Sequence, residues 1–141
     1  MSNIIYKGES YKIIGACFEV YKQKGCGFSE VVYQECLALE FALQKIPFVS
    51  EPKIYLEYKG TALEHFFKPD FVCYDKIIIE LKAVSKLIDE HRGQTINYLK
   101  ATEFDLALLV NFGHYPKIEY ERFGNQESYN NIRNELKSWT K

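Results

Sequence analysis

Residues 77–82 read Ile-Ile-Ile-Glu-Leu-Lys, an almost continuous apolar run that stops on a carboxylate and an ammonium. Three consecutive β-branched residues favour an extended chain, and apolar side chains on both of its faces need cover on both. The run therefore reads as a central strand buried between two layers. The architecture that supplies both layers is a sheet with helices packed over it.

The flanking segments agree. Glu9 to Lys24 has Tyr11, Ile14, Phe18 and Tyr21 at steps of three and four, which predicts a helix, with Lys22 and Lys24 in its last turn and Gly25 after it. Ser29 to Ile46 predicts a second helix on the stripe Val32, Cys36, Leu39 and Leu43, with Ser29 as N-cap and Glu30 in the first turn. Lys53–Tyr58 alternates and is followed by a Lys59-Gly60 turn; Glu64–Tyr74 is rich in aromatics and Val; Asp75-Lys76 turns the chain into Ile77–Lys82. These three runs predict a strand meander. Leu87–Ala101 reads as a helix, Leu106–Val110 as a short buried strand, Ile118–Phe123 as a half-exposed strand, and Gln126–Trp139 as a closing helix. The expected order is α-α-β-β-β-α-β-β-α, a mixed α/β (α+β) sheet in one domain over residues 1–141.

Charge excludes the simplest modes of binding. The chain has 18 Lys+Arg against 19 Asp+Glu, and the balance hides no polar split: residues 1–70 carry 8 basic and 9 acidic side chains, residues 71–141 carry 10 and 10. There is no basic tail, so contact with nucleic acid must come from a local patch. Candidate phosphate contacts are Lys22, Lys24, Lys86, Arg92 and Lys100, and Phe66 and Phe67 could stack on bases, although an aromatic-rich strand buries such rings first. Neither a signal peptide nor a run of about 18 apolar residues is visible. The expectation is a soluble, cytoplasmic protein without a membrane segment. The four cysteines, Cys17, Cys26, Cys36 and Cys73, form no C-x-x-C pair and read as reduced thiols.

Two features break the local rules: Pro69-Asp70 within an apolar strand region, and Glu80-Leu81-Lys82 at the end of the isoleucine strand. Residues i and i+2 of a strand share a face, so Glu80 and Lys82 point the same way. If the strands on either side of Asp75-Lys76 form a hairpin, Asp70 approaches Glu80 across the ladder. Two carboxylates at about 4 Å repel by roughly 4 kcal/mol at an effective dielectric of about 20. A hard divalent ion removes that conflict, with the Leu81 carbonyl as a further oxygen donor. Lys82 would then face an attacking water or a phosphate oxygen. The plain alternative is a surface ion pair between Glu80 and Lys82.

Pro69-Asp70 followed by Glu80-Leu81-Lys82 resembles the motif of the PD-(D/E)XK nuclease superfamily. Gly27-Phe28-Ser29-Glu30-Val31-Val32-Tyr33 is similar to the signature of the GxxExxY family, which is classed with those nucleases. The likeness runs from about Ile13 to Phe123 and includes Gly15-Ala16, Glu19-Val20, Gln94…Asn97-Tyr98-Leu99 and Leu109-Val110-Asn111-Phe112-Gly113. It departs at Tyr21 and Cys26, where relatives often carry His and Pro.

The resemblance implies a restriction-endonuclease-like αβββαβ core and Mg²⁺ or Mn²⁺ as cofactor. It implies Asp70, Glu80 and the helix-borne Glu30 as metal-binding acids, Lys82 as the motif lysine, Gln94 as a polar partner near the active site, and Tyr98 in the cleft. Glu30 alone would read as an acid favouring its helix dipole. Glu19 reads either as a second helix acid or as an exposed side chain, and His91 as a general base or a satisfied histidine. The expected activity is phosphodiester hydrolysis on nucleic acid, DNA first. Balanced charge implies transient binding, or help from a second copy or a protein partner. The competing reading is a nucleic-acid-binding or protein-interaction module that keeps the fold without catalysis.

Overall fold

The structure, a computed structural model, describes residues 5–124; the helix expected over 126–139 lies outside them. Along the chain come α1 (Lys7–Lys24), α2 (Glu30–Leu43), β1 (Phe48–Ser50), β2 (Ile54–Tyr58), β3 (Thr61–Phe67), β4 (Phe71–Cys73), β5 (Ile77–Lys82), α3 (Asp89–Lys100), β6 (Leu106–Asn111) and β7 (Glu119–Gly124). Five strands form a mixed sheet in the order β1-β4-β5-β6-β7, while β2 and β3 pair separately. Among the described strands only β5 and β6 run parallel, joined by α3 as the crossover that parallel neighbours require.

The isoleucine strand is buried on both faces, as its composition demands. Ile77, Ile79 and Leu81 join Leu106, Leu108 and Val110 under Ile13, Cys17, Val20, Tyr33, Leu37 and Phe41 of α1 and α2. Ile78 turns the other way, into a smaller cluster with Val72, Ala107 and Leu99 of α3. The chelate of Arg92 Nε on both Glu121 carboxylate oxygens, at 2.9 and 2.8 Å, ties α3 to β7. Among the described residues, no helix is long and apolar enough to cross a membrane.

The loop before α2 is held by one ring. Tyr33 is fully buried and stacks on Phe112, with centroids 4.7 Å apart and planes 12° from parallel. Its hydroxyl donates to the Gly25 carbonyl and accepts from the Phe28 N–H. Gly25 and Gly27 take φ of +68° and +113°, which L side chains rarely adopt. Tyr33 and Gly27 of the signature segment, with Gly25 just before it, thus fix the loop that presents Glu30. The other end of α2 closes in a Schellman motif: Lys45 is left-handed, its N–H meets the Ala42 carbonyl, and the Ile46 N–H meets the Phe41 carbonyl.

Several expectations are corrected. The run Glu64–Tyr74 is not one strand. Pro69 has no N–H to give a ladder, and the chain breaks at Lys68–Asp70 into β3 and β4. The meander is lost with it, because β2 and β3 leave the main sheet and β1 pairs with β4 instead. Three residues between Pro47 and Pro52 carry too little periodicity to announce β1. On α1 the buried face is Ile13, Ile14, Ala16, Cys17 and Val20; Tyr11 and Phe18 are exposed and line an open cleft of about 410 Å³ with Leu108 and Tyr120. On α2, Tyr33, Leu37 and Phe41 are buried, and Leu39 and Leu43 face out. Ser29 stands at the N-cap of α2 without a side-chain capping bond. Phe67 is buried, but Phe66 is not.

Beyond β6 the chain passes close to the segment that follows β5. A Cβ on Gly113 would lie 2.5 Å from the Val84 backbone N and O and 2.6 Å from the Ala83 carbonyl carbon. Gly113→Ala is therefore expected to cost about 3 kcal/mol, as overpacking against backbone does. Chemical denaturation of the variant checks this.

Candidate active site

The β4–β5 hairpin builds the site. Its register pairs Phe71 with Ile79 and Cys73 with Ile77 around the turn Tyr74–Lys76, which places Asp70 opposite Glu80 just beyond the end of β4. The Asp70 N–H donates to Glu80 Oε1 at 3.2 Å, and the Leu81 N–H donates to Asp70 Oδ2 at 2.7 Å. Glu80 shares the Ile78 face of β5, toward α3, and is 8% exposed; Asp70 is half-buried.

Burial dominates the electrostatics. The Glu80 carboxyl is pushed up to about 8, first by loss of water and then by the Asp70 charge; the Asp70 N–H and the Lys82 charge pull the other way. Asp70 is pushed up to about 6 by burial against the stabilising Leu81 N–H, with Glu30 and Glu51 adding repulsion. The sign for stability follows. Between about pH 4.5 and 8 the folded chain keeps a proton on Glu80 that the unfolded chain has released, so unfolding free energy falls as pH rises through that window and levels off above it. The fall is expected to be a few kcal/mol. Glu80→Gln should flatten it and make the metal-free protein more stable than wild type at pH 8. Urea melts from pH 5 to 9 read both slopes.

Lys82 lies two residues on, on the same face as Glu80. Its Nζ donates to Gln94 Oε1 at 3.3 Å, and Gln94 Nε2 donates to the Tyr98 hydroxyl at 3.0 Å. Gln94 and Tyr98 are one turn apart on α3, so the helix sets this chain of contacts. Tyr98 is stacked flat on Phe67, with centroids 4.0 Å apart. Its phenol is pushed up by burial and by the charges of Glu80 and Asp70.

Direct contacts thus join Asp70 to Glu80 and Leu81, and Lys82 to Gln94; strand β5 sets Lys82 on the face of Glu80. Glu30, the first residue of α2, is exposed and near enough for its charge to act on both acids, but makes no direct contact with them. Glu19 is not brought to the pair; it accepts a bond from Gln23 one turn along its own helix. His91 caps α3, its Nδ1 accepting the Ile88 N–H at 3.1 Å. Cys17 and Cys73 are buried, and Cys26 and Cys36 are partly so.

Two participants escaped the sequence reading. Glu51, whose N–H donates to the Asp70 carbonyl at 3.0 Å, adds a third carboxylate charge near Asp70. Asn111, fully buried at the end of β6 opposite Lys82, accepts the Val84 and Gly113 N–H groups on Oδ1 and donates Nδ2 to the Val84 carbonyl and Glu119 Oε1. It fixes the chain leaving Lys82. A polar residue closing the apolar run Leu106–Val110 was the available signal.

The donor set suits a hard cation: one buried and one half-buried carboxyl whose joint ionisation is opposed until positive charge arrives between them. Among the described residues, no three His, Cys, Asp or Glu side chains form a ready-made cage. Mg²⁺ needs only one or two carboxylates, with water and substrate oxygen completing its shell.

No curated protein sequence matches the chain significantly. A solved structure described as "Crystal structure of SSO0001" aligns over 94% of this chain and 88% of its own at 14% identity, with a TM-score of 0.46. A sequence match to a family model spans residues 7–123 and takes in every residue of the site. With residues 7–123 matching the model of the PD-(D/E)XK nuclease superfamily, the chain belongs to that superfamily.

Proposed function

We propose that this chain is a divalent-metal-dependent nuclease that hydrolyses phosphodiester bonds of nucleic acid, DNA first, and that it is a GxxExxY-type member of its superfamily. The observation that carries the reading is the Asp70–Glu80 pair. Two carboxyls are held together in a mostly buried position at the end of a central strand, both pushed up, with Lys82 on the same face. A domain selected for stability alone has no use for such strain.

Asp70 and Glu80 would hold Mg²⁺ or Mn²⁺. The N–H and C=O of one strand residue point to the same edge, so the Leu81 carbonyl borders Asp70 and would supply a further oxygen; Glu30, exposed at the start of α2, would add its charge from beside the pair. When bound, the ion polarises a phosphate oxygen and makes a water more acidic. The chain's own residues do the rest. Glu80 would hold the ion as a carboxylate, so binding would be coupled to release of its proton. Lys82, restrained by Gln94, sets an ammonium beside the phosphate and favours the charge that develops there. Gln94, restrained in turn by Tyr98, keeps that ammonium from swinging toward bulk water.

The test is incubation of purified protein with mixed single- and double-stranded DNA and RNA, in Mn²⁺, in Mg²⁺ and in chelator, beside Lys82→Ala. Cleavage that needs the ion and vanishes in the variant supports the reading. No cleavage of any substrate would favour the non-catalytic module.

A further inference from the structure

β2 and β3 form a hairpin that stands apart from the main sheet, and both of its feet are set at the acid pair. β3 ends at Phe67, three residues before Asp70; β2 begins at Ile54, three residues after Glu51, whose N–H holds the Asp70 carbonyl. Seven residues of β3 span about 20 Å. Every residue from Thr61 to Phe66 is exposed. A lone hairpin is marginally stable in water, and this one spends its surface on rings. Tyr55 is 56% exposed, Tyr58 65% and Phe66 39%. Tyr55 and Phe66 are a cross-strand pair with centroids 5.3 Å apart. Lys53 Nζ lies 5.1 Å from the Phe66 ring centroid, and Lys59 Nζ 5.6 Å from that of Tyr58. At its root, Phe67 stacks on Tyr98, which belongs to the Lys82–Gln94 chain of contacts.

We propose that this hairpin grips single-stranded nucleic acid, stacking unpaired bases on the Tyr55–Phe66 rings while the sugar-phosphate chain runs past its root to the Asp70–Glu80 pair. The proposal rests on the nuclease reading and names the form of its substrate. Charge decides between single and double strand. Residues 53–68 carry Lys53, Lys59 and Lys68 against Glu57 and Glu64, and the whole chain carries −1. A duplex offers mainly phosphates, and its binding grows with the number neutralised. One net positive charge is too little for that. Unpaired bases offer π-faces, and stacking on an aromatic side chain is worth about 1–3 kcal/mol per base. The hairpin has the rings and lacks the charge surplus, so the form it suits is the one with bases free.

The test uses the full chain carrying Lys82→Ala, so that no oligonucleotide is consumed, with and without Tyr55→Ala and Phe66→Ala. Fluorescence anisotropy is read with single-stranded DNA and RNA of about 15 nucleotides and with duplex DNA. The paired substitution is expected to weaken single-strand binding about 10- to 100-fold and duplex binding by about twofold or less. Phe66→Trp should keep affinity and Phe66→Leu should lose it, which separates stacking from apolar area. The DNA and RNA arms show which sugar is preferred. Unchanged single-strand affinity, or equal loss on duplex, overturns the proposal. So does a wild-type dimer on sizing that the substitutions dissolve with oligonucleotide affinity intact; the rings then serve a second copy. The two readings fail separately. Ion-dependent cleavage that Tyr55→Ala/Phe66→Ala leaves untouched, in the Lys82 protein, refutes the grip and keeps the nuclease. Selective loss of single-strand binding in a protein that cleaves nothing refutes the nuclease and keeps the grip.

Discussion

Lys82→Ala, Asp70→Asn and Glu80→Gln are each expected to reduce cleavage by at least about 100- to 1,000-fold, the range seen when one group aimed at developing charge is removed from a dry site. None of the three removes a core contact. Lys82 is half-buried and bonded only to Gln94 among the contacts described; Asp70→Asn keeps an oxygen for the Leu81 N–H; Glu80→Gln keeps one for the Asp70 N–H. The variants should therefore fold, with circular dichroism unchanged, and Glu80→Gln should outlast wild type in urea at pH 8. Opposite signs for stability and activity in one substitution mark a functional carboxylate. Single-turnover kinetics on equal amounts of folded protein measure the loss. Cleavage within tenfold of wild type in all three variants would move the chemistry elsewhere.

Asn111→Leu is expected to have the largest effect on stability. The side chain is fully buried, and its amide satisfies two N–H groups and one carbonyl of the chain that follows β5 and β6, together with the Glu119 carboxylate. Leucine nearly preserves the volume and orphans the Val84 and Gly113 groups, while Glu119 keeps the Leu87 N–H. Each orphaned buried polar group costs about 1–3 kcal/mol, so the total reaches about 3–6 kcal/mol, a large share of a domain's 5–15. Asn111→Asp should be similarly harmful, since it keeps the acceptor but sets a second carboxylate against Glu119. Denaturant midpoints at constant slope read the change directly.

Much of the site was legible because strand geometry is simple. Glu80 and Lys82 had to share a face, and an Asp75-Lys76 turn had to bring Asp70 level with Glu80. The structure places both as that arithmetic requires. What the sequence concealed was longer in range. Pro69 marked the motif, yet its missing N–H also divides the strand that seemed to contain it, and this sends β3 out of the sheet. Helix faces misled where apolar residues ring the helix: α2 has Val31, Leu39 and Leu43 exposed and Tyr33, Leu37 and Phe41 inside, so two stripes compete and only packing chooses. Asn111 and Glu51 act through backbone groups distant in sequence; the end of the apolar run Leu106–Val110 marks Asn111 as unusual, but no local pattern names the partners of either residue. Glu30 became a candidate only through the resemblance, since an acid in a first helical turn is otherwise ordinary.

The strain between Asp70 and Glu80 is one that a divalent cation would relieve. Calorimetric titration of Mn²⁺ into wild type and Glu80→Gln at pH 7, in two buffers of different ionisation enthalpy, tests it most directly. The account predicts binding to wild type with release of a proton, visible as a buffer-dependent heat, and binding weakened in Glu80→Gln with the proton release gone. Equal affinity and equal buffer dependence in the two proteins would show that the ion sits elsewhere and would contradict the account.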